Sequence, residues 1–147
     1  MRIAIGSDHI AFVLKRQIKE YLESKAHQLT DFGTYSTDRV DYTDYGFAVG
    51  EAVASGEYDR GIICCGTGIG ISIAANKVKG IRCVVCSEPY SAKASREHND
   101  TNILSMGARV IGIELAKMIV DEWLQTPFEG GRHLIRIEKI STYENKY

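Results

Sequence analysis

The stretch Gly61-Ile62-Ile63-Cys64-Cys65-Gly66-Thr67-Gly68-Ile69-Gly70-Ile71-Ser72-Ile73-Ala74-Ala75-Asn76-Lys77 carries the reading of the whole chain. Residues 61–65 are an uncharged apolar run, as a strand buried on both faces of a parallel sheet requires. Gly66-Thr67-Gly68-Ile69-Gly70 places three glycines in five residues. From Ile71 onward the residues are mostly small or apolar, with no helix breaker. Strand, glycine turn and helix start make a geometry in which backbone N–H groups converge on an anion. Cys65 closes the strand, where the start of the following helix favours a thiolate. Side chains alternate along a strand, so Cys64 is expected in the core and Cys65 at the working edge. A thiolate beside a nest of amides points to acid–base or nucleophilic chemistry.

Outward from this unit, two periodicities alternate along the chain. Residues 2–6 read as a strand, and 11–25 as a helix with Phe12, Leu14, Ile18, Tyr21 and Leu22 largely on one face. Residues 28–32 read as a second strand ending at Gly33, and 45–56 as a helix closed by Gly56. After the third strand, 60–65, comes a helix over 69–78 that stops at Gly80. Residues 81–86 form a fourth apolar strand, and 89–98 a short polar helix opening at Pro89. A weak fifth strand covers 102–106, and an amphipathic helix covers 112–125. A last, charged helix spans roughly 133–145. This alternation predicts a five-stranded parallel sheet covered on both faces, with right-handed crossovers. Ligands of such sheets bind at the carboxyl ends of the strands. Ser7, Asp8 and His9, Tyr42 in the loop after the second strand, Cys65–Gly70, His98, Asn99 and Arg109 are therefore expected to converge there.

The chain has 147 residues, 44% of them hydrophobic and 25% charged, with net charge −1. That predicts one domain over 1–147 with an ordinary core, and gives no basic surface for nucleic acid or an anionic membrane. No apolar run approaches the ~18 residues of a spanning helix, and residues 1–6 are too short and strand-like for a signal peptide. The four cysteines do not form a disulfide pattern, since Cys64 and Cys65 are adjacent and Cys83 and Cys86 flank two valines in an apolar run. A reducing, cytoplasmic setting is expected. A zinc site joining the two cysteine pairs, or a redox pair at Cys83 and Cys86, would need those residues in a turn or at a helix start rather than in a strand.

Each candidate also has a plainer role. Gly66-Thr67-Gly68-Ile69-Gly70 lacks the spacing of both standard nucleotide-binding loops, so it is either an oxyanion or phosphate nest or a tight turn. Asp8 or Ser7 can cap the following helix as well as line a site. His98, in the cluster His98-Asn99-Asp100, can be a catalytic acid or a partner of the helix dipole. Arg132 and Arg136, four apart after Gly130-Gly131, can hold a phosphate or form a solvated basic face. The four histidines show no metal-ligand spacing, so no metal is expected.

Together these residues resemble the B-type ribose-5-phosphate isomerase family, which also holds the galactose-6-phosphate isomerase subunits. The resemblance runs through I-G-S-D-H, D-Y-x-D-Y, C-G-T-G-I-G-I-S-I-A-A-N-K, S-R-E-H-N-D-T-N, G-A-R-V-I-G and E-G-G-R-H, nearly the whole chain. It implies a Rossmann-like three-layer α/β sandwich with a C-terminal helix, and a homodimer (in some members a tetramer) with shared active sites. It implies no metal or organic cofactor, and a phosphosugar substrate: D-ribose 5-phosphate interconverted with D-ribulose 5-phosphate.

Carried over position by position, Cys65 is the catalytic base and His98 the acid that opens the sugar ring. Asp8 and His9 line the sugar site. Gly66, Thr67, Gly68, Ile69 and Gly70 form the nest, with Asn99 beside it. Arg109, Arg132 and Arg136 fall on phosphate-site and substrate-site positions, some of them reaching across the dimer. Thr67 and Asp8 are expected to shuttle hydroxyl protons. Members with a glutamate base carry it at the position of Ala74, which places this chain in the cysteine branch. The segment Cys86-Ser87-Glu88-Pro89-Tyr90-Ser91 departs from the commoner pattern and resembles the branch that also handles allose 6-phosphate. The competing readings are a hexose-6-phosphate isomerase of the same family and a flavodoxin-like binding or receiver module. The first strand's Ser7-Asp8-His9 ending and Cys65 at the third fit neither a flavin loop nor a phosphoacceptor pocket.

Overall fold

A computed structural model describes all of residues 1–147. Its strands are β1 (Arg2–Ser7), β2 (Gln28–Asp31), β3 (Arg60–Cys65), β4 (Cys83–Val85) and β5 (Ile103–Gly107). The helices are α1 (Phe12–Ser24), α2 (Tyr42–Ala54), α3 (Ile69–Asn76), α4 (Pro89–Asn99), α5 (Ile113–Gln125) and α6 (Arg132–Glu144). The strands form one five-stranded sheet in the order β2-β1-β3-β5-β4, and every neighbouring pair is parallel. This is the α/β sandwich that the alternation predicts.

The two faces of β3 separate the two cysteines. Ile62 and Cys64 join a core cluster with β1, α1, α4 and α5, centred on the fully buried Trp123. Ile63 and Cys65 join a second cluster with Val49 and Val53 of α2 and Ile71 and Ala75 of α3. The period of two thus places Cys64 in the thicker core layer and Cys65 against the helix that follows it. Burial pushes the Cys64 thiol up to about 12, so this sulfur stays protonated at neutral pH.

Three elements depart by two residues or more from the sequence reading. The fourth strand is only Cys83–Val85, and two asparagine side chains bind the amides at its start. Asn102 Oδ1 accepts from Arg82 N–H at 2.8 Å, and Asn76 Oδ1 accepts from Cys83 N–H at 2.8 Å. Helix α2 starts at Tyr42 rather than 45, with Asp44 in its first turn where a negative charge suits the dipole. Tyr42 is therefore helical and not in a loop. Helix α3 ends at Asn76, two residues short of the expectation.

Strand β5 lies between β3 and β4, so the Cys64–Cys65 pair and the Cys83–Cys86 pair are about 9.6 Å apart at the closest backbone approach. All four thiols are free, and burial drives those of Cys83 and Cys86 far from the thiolate. The intervening strand argues against a zinc site shared by the two pairs, and burial of Cys83 and Cys86 argues against a redox pair. No helix is long and apolar enough to cross a membrane.

Helix α6 covers neither sheet face. It packs beside α4, buries only His133 and Ile137, and reaches back so that Glu144 Oε2 accepts from Gly80 N–H at 2.9 Å.

Candidate active site

At the carboxyl edge of the sheet, the glycine turn closes over the end of β3. Gly68 has φ +79°, the left-handed conformation that turns the strand into α3. In that conformation its N–H donates to Cys65 Sγ at 3.1 Å, while Ser105 Oγ donates to Gly68 O at 2.6 Å. The sulfur is nearly buried, at 5% exposure of the residue, and lies against amide hydrogens at a helix start. Gly70 serves a close approach: a Cβ there would lie 2.7 Å from the Tyr42 ring. Tyr42 therefore lies directly over the nest, and Thr67 stays exposed on its outer side, its Oγ1 accepting from Ile69 N–H at 3.2 Å.

Asp8 and His9 flank this nest from β1. Asp8 is buried and its Oδ1 accepts from Ala11 N–H at 3.1 Å in the turn ahead of α1; the N-cap position of that helix is Ala11 and carries no side-chain cap, so neither Asp8 nor Ser7 caps it as expected. Val40 N–H donates to His9 Nδ1 at 3.2 Å. That bond makes Nδ1 the acceptor, so neutral His9 carries its proton on Nε2. The adjoining turn is braced by Lys15, which is fully buried, pairs with Asp31 at 2.8 Å and donates to Thr34 O. Two bonds of 2.7 Å, Ser7 N–H to Gly33 O and Thr34 N–H to Ser7 O, tie this turn to β1. The sequence reading missed Lys15, since a lysine on an amphipathic helix usually signals the solvent face. Arg109 is exposed beside Gly66, whose carbonyl accepts its backbone N–H at 3.0 Å.

His98, Asn99, Arg132 and Arg136 do not join this group. Cys65 is level with Gly107, and Gly61 with Ile103, a separation of about 13 Å along the sheet. Helix α4 runs from the carboxyl edge back to the amino edge over 11 residues, about 16 Å. His98 and Asn99 end that helix, so they occupy the opposite edge from Cys65. This corrects the expectation of one shared edge: a crossover helix must return the chain to where the next parallel strand begins. Arg132 and Arg136 start α6 at the same distant edge and are exposed.

That second edge has its own order. The His98 and His133 rings stack with centroids 4.5 Å apart and planes 21° apart. Glu129 N–H donates to Glu97 O at 3.1 Å, which ties the loop before α6 to the end of α4. Glu129 Oε2 then lies 3.3 Å from His133 Nε2. His133 and Glu129 stand four apart in E-G-G-R-H, and this was the one signal in the sequence that could have singled them out.

The candidate residues thus fall into two groups: a thiol with an amide nest, Asp8, His9, Tyr42 and Arg109 at one edge, and His98, Asn99, Arg132 and Arg136 at the other. A family model described as Ribose/Galactose Isomerase matches residues 3–140. Ribose-5-phosphate isomerase B of Escherichia coli strain K12 is 57% identical over 145 residues, 99% of this chain and 97% of its own. The structure of Clostridium thermocellum ribose-5-phosphate isomerase B superposes with a TM-score of 0.99 at 56% identity, covering 100% of this chain and 99% of that one. The Mycoplasma genitalium ribose-5-phosphate isomerase B structure with bound ribulose-5-phosphate gives a TM-score of 0.94 at 38% identity, covering 99% and 97%.

Proposed function

Because the chain belongs to the ribose/galactose isomerase family, we propose that these two groups of residues are halves of one sugar-phosphate isomerase site, completed by a second copy. The enzyme is an aldose–ketose isomerase, a ribose-5-phosphate isomerase of the B type. It interconverts D-ribose 5-phosphate and D-ribulose 5-phosphate. The observation that carries the mechanism is Cys65 Sγ held 3.1 Å from the Gly68 amide at the mouth of the nest.

The C2 proton of a sugar is a weak acid and leaves only if the enediolate charge is stabilised as it forms. Cys65 as thiolate takes that proton and returns it to C1. The amides of Gly66–Gly70 face the developing charge without having to reorganise. Thr67, exposed at the nest, and Asp8, with one carboxylate oxygen already used by Ala11, move the hydroxyl protons on O1 and O2. His9, with its proton on Nε2, and Tyr42, over Gly70, position the sugar. His98 of the partner subunit opens the ring, with Asn99 of the partner subunit beside it. Arg109, together with the partner's Arg132 and Arg136, holds the phosphate and converts its binding into orientation.

The split supports a homodimer, because no single copy holds both Cys65 and His98 at one edge. Half-exposed Ile69 and Ile73, four apart on α3 beside the nest, supply apolar surface for that contact. The whole chain then acts as one isomerase domain, and its four free thiols support a reducing, cytoplasmic setting. The test is a side-by-side rate on ribose 5-phosphate, allose 6-phosphate and galactose 6-phosphate, with Cys65→Ala as control. Ribose 5-phosphate is expected to have the highest kcat/KM, and Cys65→Ala is expected to lose about 10²–10⁴ in kcat. A faster hexose phosphate overturns the substrate assignment, and a Cys65→Ala rate within about tenfold of the parent removes Cys65 as base.

A further inference from the structure

The cluster at the amino edge holds more than the ring-opening acid. One ligand atom each from His98, Glu129 and His133 lies within 4.8 Å of the others. The His133 side chain is 8% exposed, and its Nε2 has no hydrogen-bond partner. A buried polar nitrogen without a partner is costly and rare in folded proteins. The nearest acceptor, Glu129 Oε2 at 3.3 Å, does not meet hydrogen-bond geometry. Ligands about 2.0–2.1 Å from a tetrahedral ion are themselves about 3.3 Å apart. His133 Nε2 and Glu129 Oε2 already have that separation.

We propose that His98, Glu129 and His133 form a binding site for a divalent transition-metal ion of the zinc type, and that filling it inhibits the enzyme. Two imidazoles and a carboxylate form a donor set suited to zinc and its neighbours in the first transition row. The ligands are held by two elements, the end of α4 and the start of α6. Gly130 and Gly131, both at positive φ (+69° and +56°), fold Glu129 back toward His133. The three ligand atoms lie within 4.8 Å of one another rather than about 3.3 Å, so His98, the more exposed of the two histidines, turns about its side-chain bonds to complete the set. Exposed Arg132 and Arg136 on the same helix oppose a cation, which limits the affinity. Binding also requires neutral imidazoles, so it weakens as pH falls. The inhibitory half rests on the role given above to His98: an imidazole with one nitrogen on a metal cannot be protonated to imidazolium, the acid form that would protonate the ring oxygen.

The experiment titrates Co²⁺ into the full-length protein after treatment with EDTA and desalting, and reads the visible ligand-field absorption. One ion per chain is expected, without the near-ultraviolet charge-transfer bands of cobalt thiolate. Glu129→Gln, at a half-exposed position, and His133→Ala are each expected to weaken binding by at least about tenfold. Strong thiolate bands, or parental affinity in Glu129→Gln, overturn the site. In parallel, Zn²⁺ is added to the parent enzyme during turnover, and EDTA is expected to restore the rate. Co²⁺ binding through these residues with no loss of turnover on Zn²⁺ leaves the site standing and overturns the inhibitory role and the assignment of His98.

Discussion

Mixing two inactive variants, Cys65→Ala and His98→Asn, is expected to restore isomerisation of ribose 5-phosphate. Each variant alone loses a group that typically contributes about 10²–10⁴ to the rate. Within one copy, the pairing of Cys65 with Gly107 and of Gly61 with Ile103 keeps Cys65 at the edge opposite His98. In a two-fold dimer, each site then takes Cys65 from one copy and His98 from the other. Random reassortment makes half of the dimers mixed, and each mixed dimer has one site with both groups intact, so about 25% of parental activity returns. The recovered rate stands at least about 25-fold above either variant alone. The variants carry different affinity tags, are co-refolded or co-expressed, and the doubly tagged species is purified. That species is expected to show about half of the parental rate of ribulose 5-phosphate formation per dimer. Doubly tagged dimers that are no more active than the single variants refute the shared site.

Three further outcomes follow from particular contacts. His98→Asn is expected to slow turnover of ribose 5-phosphate, which is cyclic, more than it slows deuterium uptake from solvent into ribulose 5-phosphate, which cannot close a furanose ring through its esterified C5 oxygen; equal losses would place His98 in the enediol step. Arg132→Ala or Arg136→Ala is expected to raise KM for the phosphosugar with little effect on an unphosphorylated sugar, and equal effects on both would exclude phosphate as the group they hold. Glu88 accepts from Ser91 N–H at 3.1 and 3.0 Å at the start of α4, and its bonding to Ser91 holds the carboxyl below its ordinary range. A carboxyl depressed in the folded state stabilises above its unfolded pKa, so Glu88→Gln is expected to lower Tm at neutral pH, with the difference fading as pH falls through the carboxylate range. A Tm difference that is constant with pH would exclude that carboxyl as its source.

Local pattern determined much of this protein. The alternation in Ile62-Ile63-Cys64-Cys65 assigned the two thiols to opposite faces, because strand side chains alternate whatever surrounds them. Gly68 and Gly70 marked the nest because only glycine accepts that turn and that approach of Tyr42. The order of strands and helices determined the parallel sheet, and it also implied that His98, at the end of a crossover helix, stands away from Cys65. The expected single edge gathered residues by chemistry and passed over that geometry.

Other features arise only from packing. The side-chain amides of Asn76 and Asn102 bind the start of β4, Lys15 is drawn into the turn beside Ser7, and Val40 N–H selects the tautomer of His9. The meeting of His98 with Glu129 and His133 is of the same kind. Each depends on where side chains distant in the chain come to rest, which periodicity along one segment does not encode. Tertiary structure decides these contacts because buried polar groups must find partners wherever the fold brings them.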